Sequence, residues 1–125
     1  MTRVICAEDC GNSPKRLFLK KFNTALAKGD DAFVLRSLAD GVVWERVGEG
    51  RLLGKQRVAE ALEKMKRERV AELVILNIVT HGSAGAANGT LKLEDGRTLA
   101  YSHVYRFSGA KGTSIKEVTA YVVET

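Results

Sequence analysis

The apolar residues of the N-terminal half first recur at helical spacing just after a hydroxyl and a proline. Ser13 and Pro14 form a helix start, because the hydroxyl can cap the helix and the N–H that proline lacks would be unused in the first turn. Gly29 provides the stop. One face between them carries Leu17, Phe18, Phe22, Ala25 and Leu26. The pattern predicts a helix over residues 14–28.

Two further helices are predicted downstream. Asp30 can cap a short one that ends at the letters ADG and carries Phe33, Val34, Leu35 and Leu38. The other begins after Gly54, where apolar residues follow the i, i+3, i+4, i+7 spacing at Val58, Ala61, Leu62 and Met65. Between these two helices, VVWERVGEG (42–50) has the pattern of a strand leading into a hairpin.

Beyond Arg69 the helical period stops and strand patterns take over. AELVILNIVTHG is apolar on both faces, two alternating segments meet at the hairpin signal Asp95-Gly96, and TSIKEVTAYVVE forms the last strand. The glycine-rich HGSAGAANG is interpreted as a turn with a flexible edge. This order of elements predicts an α+β fold, in which three N-terminal helices pack on one face of a strongly curved antiparallel sheet.

Composition places the whole chain in one folded domain. The 125 residues are 45% hydrophobic and 28% charged, with one proline and no low-complexity tract. We therefore expect an N-terminal arm over residues 1–13 and a single domain over residues 14–125.

The N-terminus has too short an apolar run for a signal peptide, and no segment is apolar enough to span a bilayer. These features predict a cytoplasmic protein without membrane contact. Cys6 and Cys10, the only cysteines, are spaced C-x3-C. Two reduced thiols are the favoured interpretation, with a redox pair or a metal clip as the alternatives. No metal site and no cofactor are predicted.

The net charge of +5 comes from basic residues spread over helix faces. KRLFLKK (15–21) and KMKRER (64–69) lack interleaved aromatic residues on the basic face, so nucleic-acid binding is not predicted. An anion or nucleic-acid binder that uses these faces stays as a third hypothesis. GAKGTS lies between two strands and does not have the order of a phosphate loop.

Several motifs together resemble the nuclear transport factor two-like superfamily, which includes ketosteroid isomerases, polyketide cyclases and limonene epoxide hydrolase. The motifs are ALAKGD, LADGVVWERVG, GKQRVAEAL, and HVYRFSG leading into IKEVTAYV, and the resemblance covers roughly residues 14–123. It implies a cone-shaped α+β barrel with an apolar cavity. It also implies a homodimer that forms through the outer face of the sheet.

The resemblance also assigns roles to individual positions. Glu45 falls on the place of the isomerases' catalytic base, and His103 falls on the place of their neutral acid, which donates to the oxyanion. Phe22 falls on the place of a tyrosine and cannot donate, so the isomerase set is incomplete. The epoxide hydrolases need an arginine and two aspartates, and near those places stand Tyr101, His103 and Ala120.

Strand alternation leads to a similar site from the residues themselves. It sends Leu99, Tyr101, His103, Tyr105 and Phe107 to one side of their strand. If Glu45 projects into the same hollow, it and His103 could serve as general base and hydrogen-bond donor. The predicted ligand-binding residues are Phe18, Phe22, Trp44, Tyr101, Tyr105, Val118 and Ala120.

The leading hypothesis is a protein that binds a small apolar or aromatic molecule, with a cofactor-independent proton transfer of the isomerase or cyclase type. The alternative is a non-catalytic homodimeric module whose cavity is filled by its own aromatic residues. In that case Glu45 is solvated at the rim and His103 is a satisfied polar group within an aromatic layer. The volume of the cavity discriminates between the two, since a ligand site needs roughly 300 Å³.

Overall fold

The computed structural model describes residues 2–7 and 13–125. Within them, the helices are α1 (Pro14–Lys28), α2 (Asp31–Arg36) and α3 (Lys55–Met65). The strands are β1 (Arg3–Cys6), β2 (Leu38–Arg46), β3 (Gly50–Leu53), β4 (Val70–His81), β5 (Ala84–Leu93), β6 (Thr98–Phe107) and β7 (Ile115–Glu124).

The bounds of α1 are those predicted from its end signals. The Ser13 side chain accepts a hydrogen bond from the Arg16 backbone N–H at 3.2 Å. Gly29 ends the helix in the left-handed region, with φ at 76°. The predicted extent of α2 is wrong, because α2 ends at Arg36 and Leu38 begins β2. Leu38 pairs with Ile115 of β7, so sheet pairing overrides the local helical pattern there.

The strands form one curved, mixed sheet in the order β1-β4-β5-β6-β7-β2-β3. The meander from β4 to β7 is antiparallel, as predicted. Two parallel pairings, β1 with β4 and β2 with β7, were not predicted. The pairing of β2 with β7 matters for the site, because it places the end of β2 beside the inner residues of β7.

The glycine-rich segment after His81 is mostly strand, so its interpretation as a flexible turn is wrong. The turn is confined to Gly82 and Ser83, and β5 then pairs with both β4 and β6. Its small residues have a packing reason. A Cβ at Gly85 would lie 3.0 Å from Leu19 Cδ1, and one at Gly89 would meet the Val74 carbonyl oxygen.

The N-terminal segment contributes to the sheet and to a covalent link. Arg3–Cys6, expected within the arm, add an edge strand to β4. Cys6 is disulfide-bonded, so the expectation of a reduced thiol there is wrong. Cys10, the other half of the C-x3-C prediction, lies outside the described residues.

The helices close the concave side of the sheet, and together they form the cone. An aromatic cluster fills one part of it, in which Phe22 contacts Phe18, Trp44 and Tyr105 at ring-centroid distances of 6.1, 6.2 and 5.7 Å. The space between α3 and the inner faces of β6 and β7 is not filled. No described helix combines the length and apolar character that a membrane span requires.

Candidate functional site

The unfilled part of the cone is a cavity of about 820 Å³ that opens to solvent. Its walls come from the end of α1, the inner face of α3 and the concave face of the sheet, and most of its inner surface is apolar, as at Leu26, Trp44, Leu62, Leu73, Leu91 and Leu99. This volume is well above the roughly 300 Å³ that a small-molecule site needs. The alternative of a cone plugged by its own aromatic residues is therefore wrong.

A chain of buried polar groups runs from α1 to the cavity wall. The Asn23 amide nitrogen donates to the Leu19 carbonyl at 2.7 Å and lies 3.2 Å from the Tyr105 hydroxyl. That hydroxyl lies 3.1 Å from His103 Nδ1. Because only the nitrogen of the amide can donate to a carbonyl, the bond to Leu19 fixes how Asn23 is oriented.

The orientation of Asn23 determines the hydrogen that His103 offers to the cavity. The Tyr105 hydroxyl accepts from the Asn23 nitrogen at 3.2 Å, a shorter contact than the 3.5 Å to the Asn23 oxygen. Its own proton is then directed to His103 Nδ1, which acts as the acceptor. A neutral imidazole that accepts at Nδ1 carries its hydrogen at Nε2. His103 therefore presents an N–H donor to the cavity.

Burial keeps these groups uncharged. Desolvation lowers the pKa of His103 to about 4, since a buried imidazolium loses its hydration. The same burial raises the pKa values of Tyr101 and Tyr105 well above that of a free phenol. At neutral pH all three side chains are neutral, and His103 lines the cavity.

Tyr101 is the clearest polar group without a partner. The side chain is 5% exposed and lines the cavity, and its hydroxyl has no hydrogen-bond partner in the structure. Its ring lies beside that of His103, with a centroid distance of 4.9 Å. A buried hydroxyl without a partner is destabilising, and an acceptor on a bound molecule would remove this cost.

Arg46, at the end of β2, also lines the cavity, and its Nε is buried without a partner among the described residues. The register explains its direction. Arg46 pairs with Ala120 of β7, and Ala120 pairs with His103 of β6, so all three share the inner face of the sheet.

The expectation that Glu45 faces the cavity is wrong. Trp44 and Arg46 line the cavity, and alternation along β2 turns Glu45 to the outer face of the sheet. There its carboxylate lies 3.7 Å from Arg51 Nε, and its side chain is 42% exposed. Glu45 and His103 are therefore on opposite faces and do not form a pair.

The other predicted ligand-binding residues divide into two groups. Trp44, Tyr101 and Ala120 line the cavity together with His103. The remaining four pack in the protein core and do not line it: Phe18, Phe22, Tyr105 and Val118. Tyr105 acts on the site indirectly, through its contact with His103.

Asn23 and Arg46 are polar site residues that the sequence did not reveal. Asn23 sits among apolar neighbours on the inner face of α1, and a lone polar residue on such a face was the available signal. Arg46 shares its strand face with Trp44. Whether Glu45 or Arg46 points into the cavity can be decided only from the register of β2 against its neighbouring strand. Among the described residues, no three His, Cys, Asp or Glu side chains are grouped to hold a metal ion.

Solved structures with the same fold support this description of the cone. An NTF2-like protein of unknown function from Burkholderia xenovorans LB400 has a TM-score of 0.73 to this chain at 19% identity, covering 88% of this chain and 83% of that one. An LEH-like epoxide hydrolase from M. tuberculosis has a TM-score of 0.69 at 25% identity, covering 86% and 80%.

A third structure, an NTF2-like protein of unknown function from Burkholderia pseudomallei K96243, has a TM-score of 0.68 at 22% identity, with 86% and 89% covered. No protein-family model matches the chain, and neither does a curated protein. These likenesses confirm the predicted nuclear transport factor 2-like (NTF2-like) fold.

Proposed function

We propose that this protein binds a small, mainly apolar molecule inside the cone and holds a hydrogen-bond acceptor of that molecule between Tyr101 and His103. The observation that carries the proposal is the buried Tyr101 hydroxyl, which has no partner among the described residues and belongs to a side chain that lines the cavity. Mostly apolar walls with a few oriented polar groups are typical of small-molecule sites.

The two donors are placed to act on one atom. Tyr101 and His103 are two residues apart on β6, so both project to the inner face, and their rings are adjacent. Each offers one hydrogen and neither is charged at neutral pH. A carbonyl oxygen has two lone pairs and can accept from both, so a ketone matches this pair of donors.

The charged residues of the cavity do not favour proton transfer. Abstraction of a proton next to a carbonyl requires a base in contact with the ligand, and Glu45 lies on the outer face. Of the acidic residues that line the cavity, Glu49, Glu68 and Glu94 are exposed, and Asp31 lies 3.0 Å from Lys66. With its pKa lowered to about 4, His103 is a weak base. We therefore propose binding without turnover.

Trp44 provides a direct test, because it is the only tryptophan and it lines the cavity. Titration with methyl octyl ketone should change its fluorescence. Tyr101→Phe should weaken the binding about three- to tenfold, since a net hydrogen bond contributes about 0.5–1.5 kcal/mol. The same change should leave the melting temperature equal or higher, because it removes a buried hydroxyl that lacks a partner.

Tyr121→Phe is the matched control, because Tyr121 is 46% exposed on β7 and does not line the cavity. It should bind the ketone as the wild type does. If Tyr101→Phe binds the ketone with wild-type affinity, the hydroxyl is not the ligand donor. If no cavity-dependent signal appears with the wild type, the proposed ligand class is wrong.

We also infer that two copies of the chain associate through the outer face of the sheet. Val79, Val104, Tyr121 and Val123 are 61, 42, 46 and 63% exposed on that face. Exposed apolar side chains grouped on one uncharged sheet face are typical of an interaction surface. A second copy covers it with the same surface, as the symmetry of a homodimer requires.

A further inference from the structure

The charge at the mouth of the cavity suggests a second recognition element. Arg46 lines both the cavity and an adjoining depression of about 490 Å³ beside α3, which we call the α3 groove. The charged residues of the α3 groove are Arg46, Arg57, Glu60, Lys64, Arg67 and Glu68. The groove therefore continues the cavity toward solvent on the side where Arg46 lies.

The acids of the α3 groove are already neutralised. Glu60 lies 3.5 Å from Arg57, and Glu68 lies 2.8 Å from Arg97. Arg46, Lys64 and Arg67 form no ion pair with any residue that the structure describes. The groove thus carries a positive charge that the described residues do not balance.

Arg46 differs from the other two cations because its Nε is buried and has no acceptor in the described part of the chain. Lys64 and Arg67 are exposed and can be hydrated by solvent. A buried guanidinium N–H without an acceptor is destabilising, whereas a carboxylate matches its planar fork with two parallel hydrogen bonds. A ligand carboxylate would supply the acceptor that the described residues do not provide.

We propose that the ligand of the cone is an amphipathic carboxylate, whose carboxylate binds Arg46 and whose apolar body fills the cavity. This rests on the proposed binding function and adds the class of ligand. Arg46 and His103 flank Ala120 in one row of the sheet, so their Cα atoms are about 10 Å apart, two strand spacings. The carboxylate and the inner acceptor therefore occupy two separate subsites.

The test compares decanoate with methyl octyl ketone, which has the same number of carbons but no charge. Both are titrated by Trp44 fluorescence at low salt, below the concentration at which decanoate forms micelles. Arg46→Gln should weaken decanoate binding about tenfold or more and ketone binding by a much smaller factor. Arg46→Lys keeps the charge but loses the fork, so its decanoate affinity should lie between those of the wild type and Arg46→Gln.

Arg51→Gln is the matched control, because Arg51 lies on the outer face beside Glu45. It should bind both ligands as the wild type does. The proposal is overturned if Arg46→Gln keeps wild-type decanoate affinity, or if it loses both ligands equally. If the ketone binds in a Tyr101-dependent way while decanoate does not depend on Arg46, only the carboxylate inference fails. If neither ligand binds the wild type, the proposed function itself fails.

Discussion

Both the charge and the tautomer of His103 are set by the residues that surround it. Burial lowers its pKa, and the contact with Tyr105 at 3.1 Å assigns the ring hydrogen to the other nitrogen. Tyr105 can direct its proton this way because Asn23 donates to it. Asn23 on α1 thus determines which nitrogen of His103 carries the hydrogen. The sequence of β6 alone does not predict this tautomer.

The lowered pKa of His103 predicts a pH-dependent stability. An unfolded histidine titrates near pH 6.5, while folded His103 titrates at about 4, so the unfolded state binds more protons between these values. Stability should therefore fall as pH falls through this window, by roughly 1–3 kcal/mol from this residue. Urea unfolding at pH 7 and at pH 4.5 should show a smaller loss for His103→Gln than for the wild type.

His81→Gln provides the control for this measurement, because His81 is the other histidine and is exposed. It should follow the wild type at both pH values, which separates the buried imidazole from the carboxylates that titrate in the same range. Equal pH slopes for His103→Gln and the wild type would show that His103 is not held neutral by the fold.

Glu45 shows where prediction from the residues stopped. Val43 and Val47, two positions before and after Glu45, share its face of the strand, while Trp44 lies on the other face. Both faces therefore carry apolar residues, and the sequence does not say which face points inward. A shift of one residue in the register of β2 would exchange its two faces. The pairing of Trp44 with Val118 of β7 decides which face points inward. The strand itself was predictable, and Trp44, Tyr101 and His103 line the cavity, but the inward charge is that of Arg46, which the sequence did not reveal.

At the scale of the elements, β4 and β5 depend on a glycine at a close approach. Gly89 pairs with Ile75 of β4 and with Tyr101 of β6, and the register of β4 shifts between Ile75 and Asn77. A Cβ at Gly89 would overlap the Val74 carbonyl oxygen, which belongs to the backbone and cannot rotate away. The spacing of β4, β5 and β6 at this point thus requires a residue without a side chain at position 89.

We predict that Gly89→Ala lowers the free energy of unfolding by about 3 kcal/mol, at the upper end of overpacking costs. The reason is that relief of the overlap requires a shift of the β4 backbone. Gly109→Ala is the control, since its Cβ would meet nothing within 4 Å and its φ is not positive. Chemical denaturation of both variants measures the difference, and equal stabilities would show that β4 yields at little cost.

The elements also show which local signals predict structure and which do not. The ends of α1 were predicted well, because a cap, a proline and a terminal glycine act within a few residues of each other. β5 was partly missed, because alanine and glycine carry little strand preference and its pairing is decided by β4 and β6. β1 was missed because its pairing is decided by β4, which is nearly seventy residues away in the chain.

At the scale of the whole molecule, the sheet separates two surfaces with different chemistry. Its concave face forms the cavity, while its convex face has a central outer patch without charge. Strand pairing arranges that outer patch in three rows: Val79, Ala86, Val104 and Thr119; Asn77, Asn88, Ser102 and Tyr121; Val74, Thr90, Ala100 and Val123. Charged residues flank it, as in the pairs Glu72 with Lys92 and Arg106 with Glu117.

The proposed dimer predicts that one charge in the outer patch separates the copies. In a twofold-symmetric interface the same residue occurs twice, so Val104→Lys would bury two unpaired ammonium groups at once. Sedimentation equilibrium should give twice the chain mass for the wild type, and at least a tenfold higher dimer dissociation constant for Val104→Lys. The variant should remain folded, because Val104 is 42% exposed in a single copy.

Leu17→Lys tests whether any added lysine has the same effect, because Leu17 is 40% exposed on α1, away from the sheet face. It should keep the wild-type mass. A monomeric wild type, or a Val104→Lys variant that still sediments as a dimer, would rule out this interface. Methyl octyl ketone should still bind to monomeric Val104→Lys, because residues of a single copy line the cavity and include Tyr101 and His103.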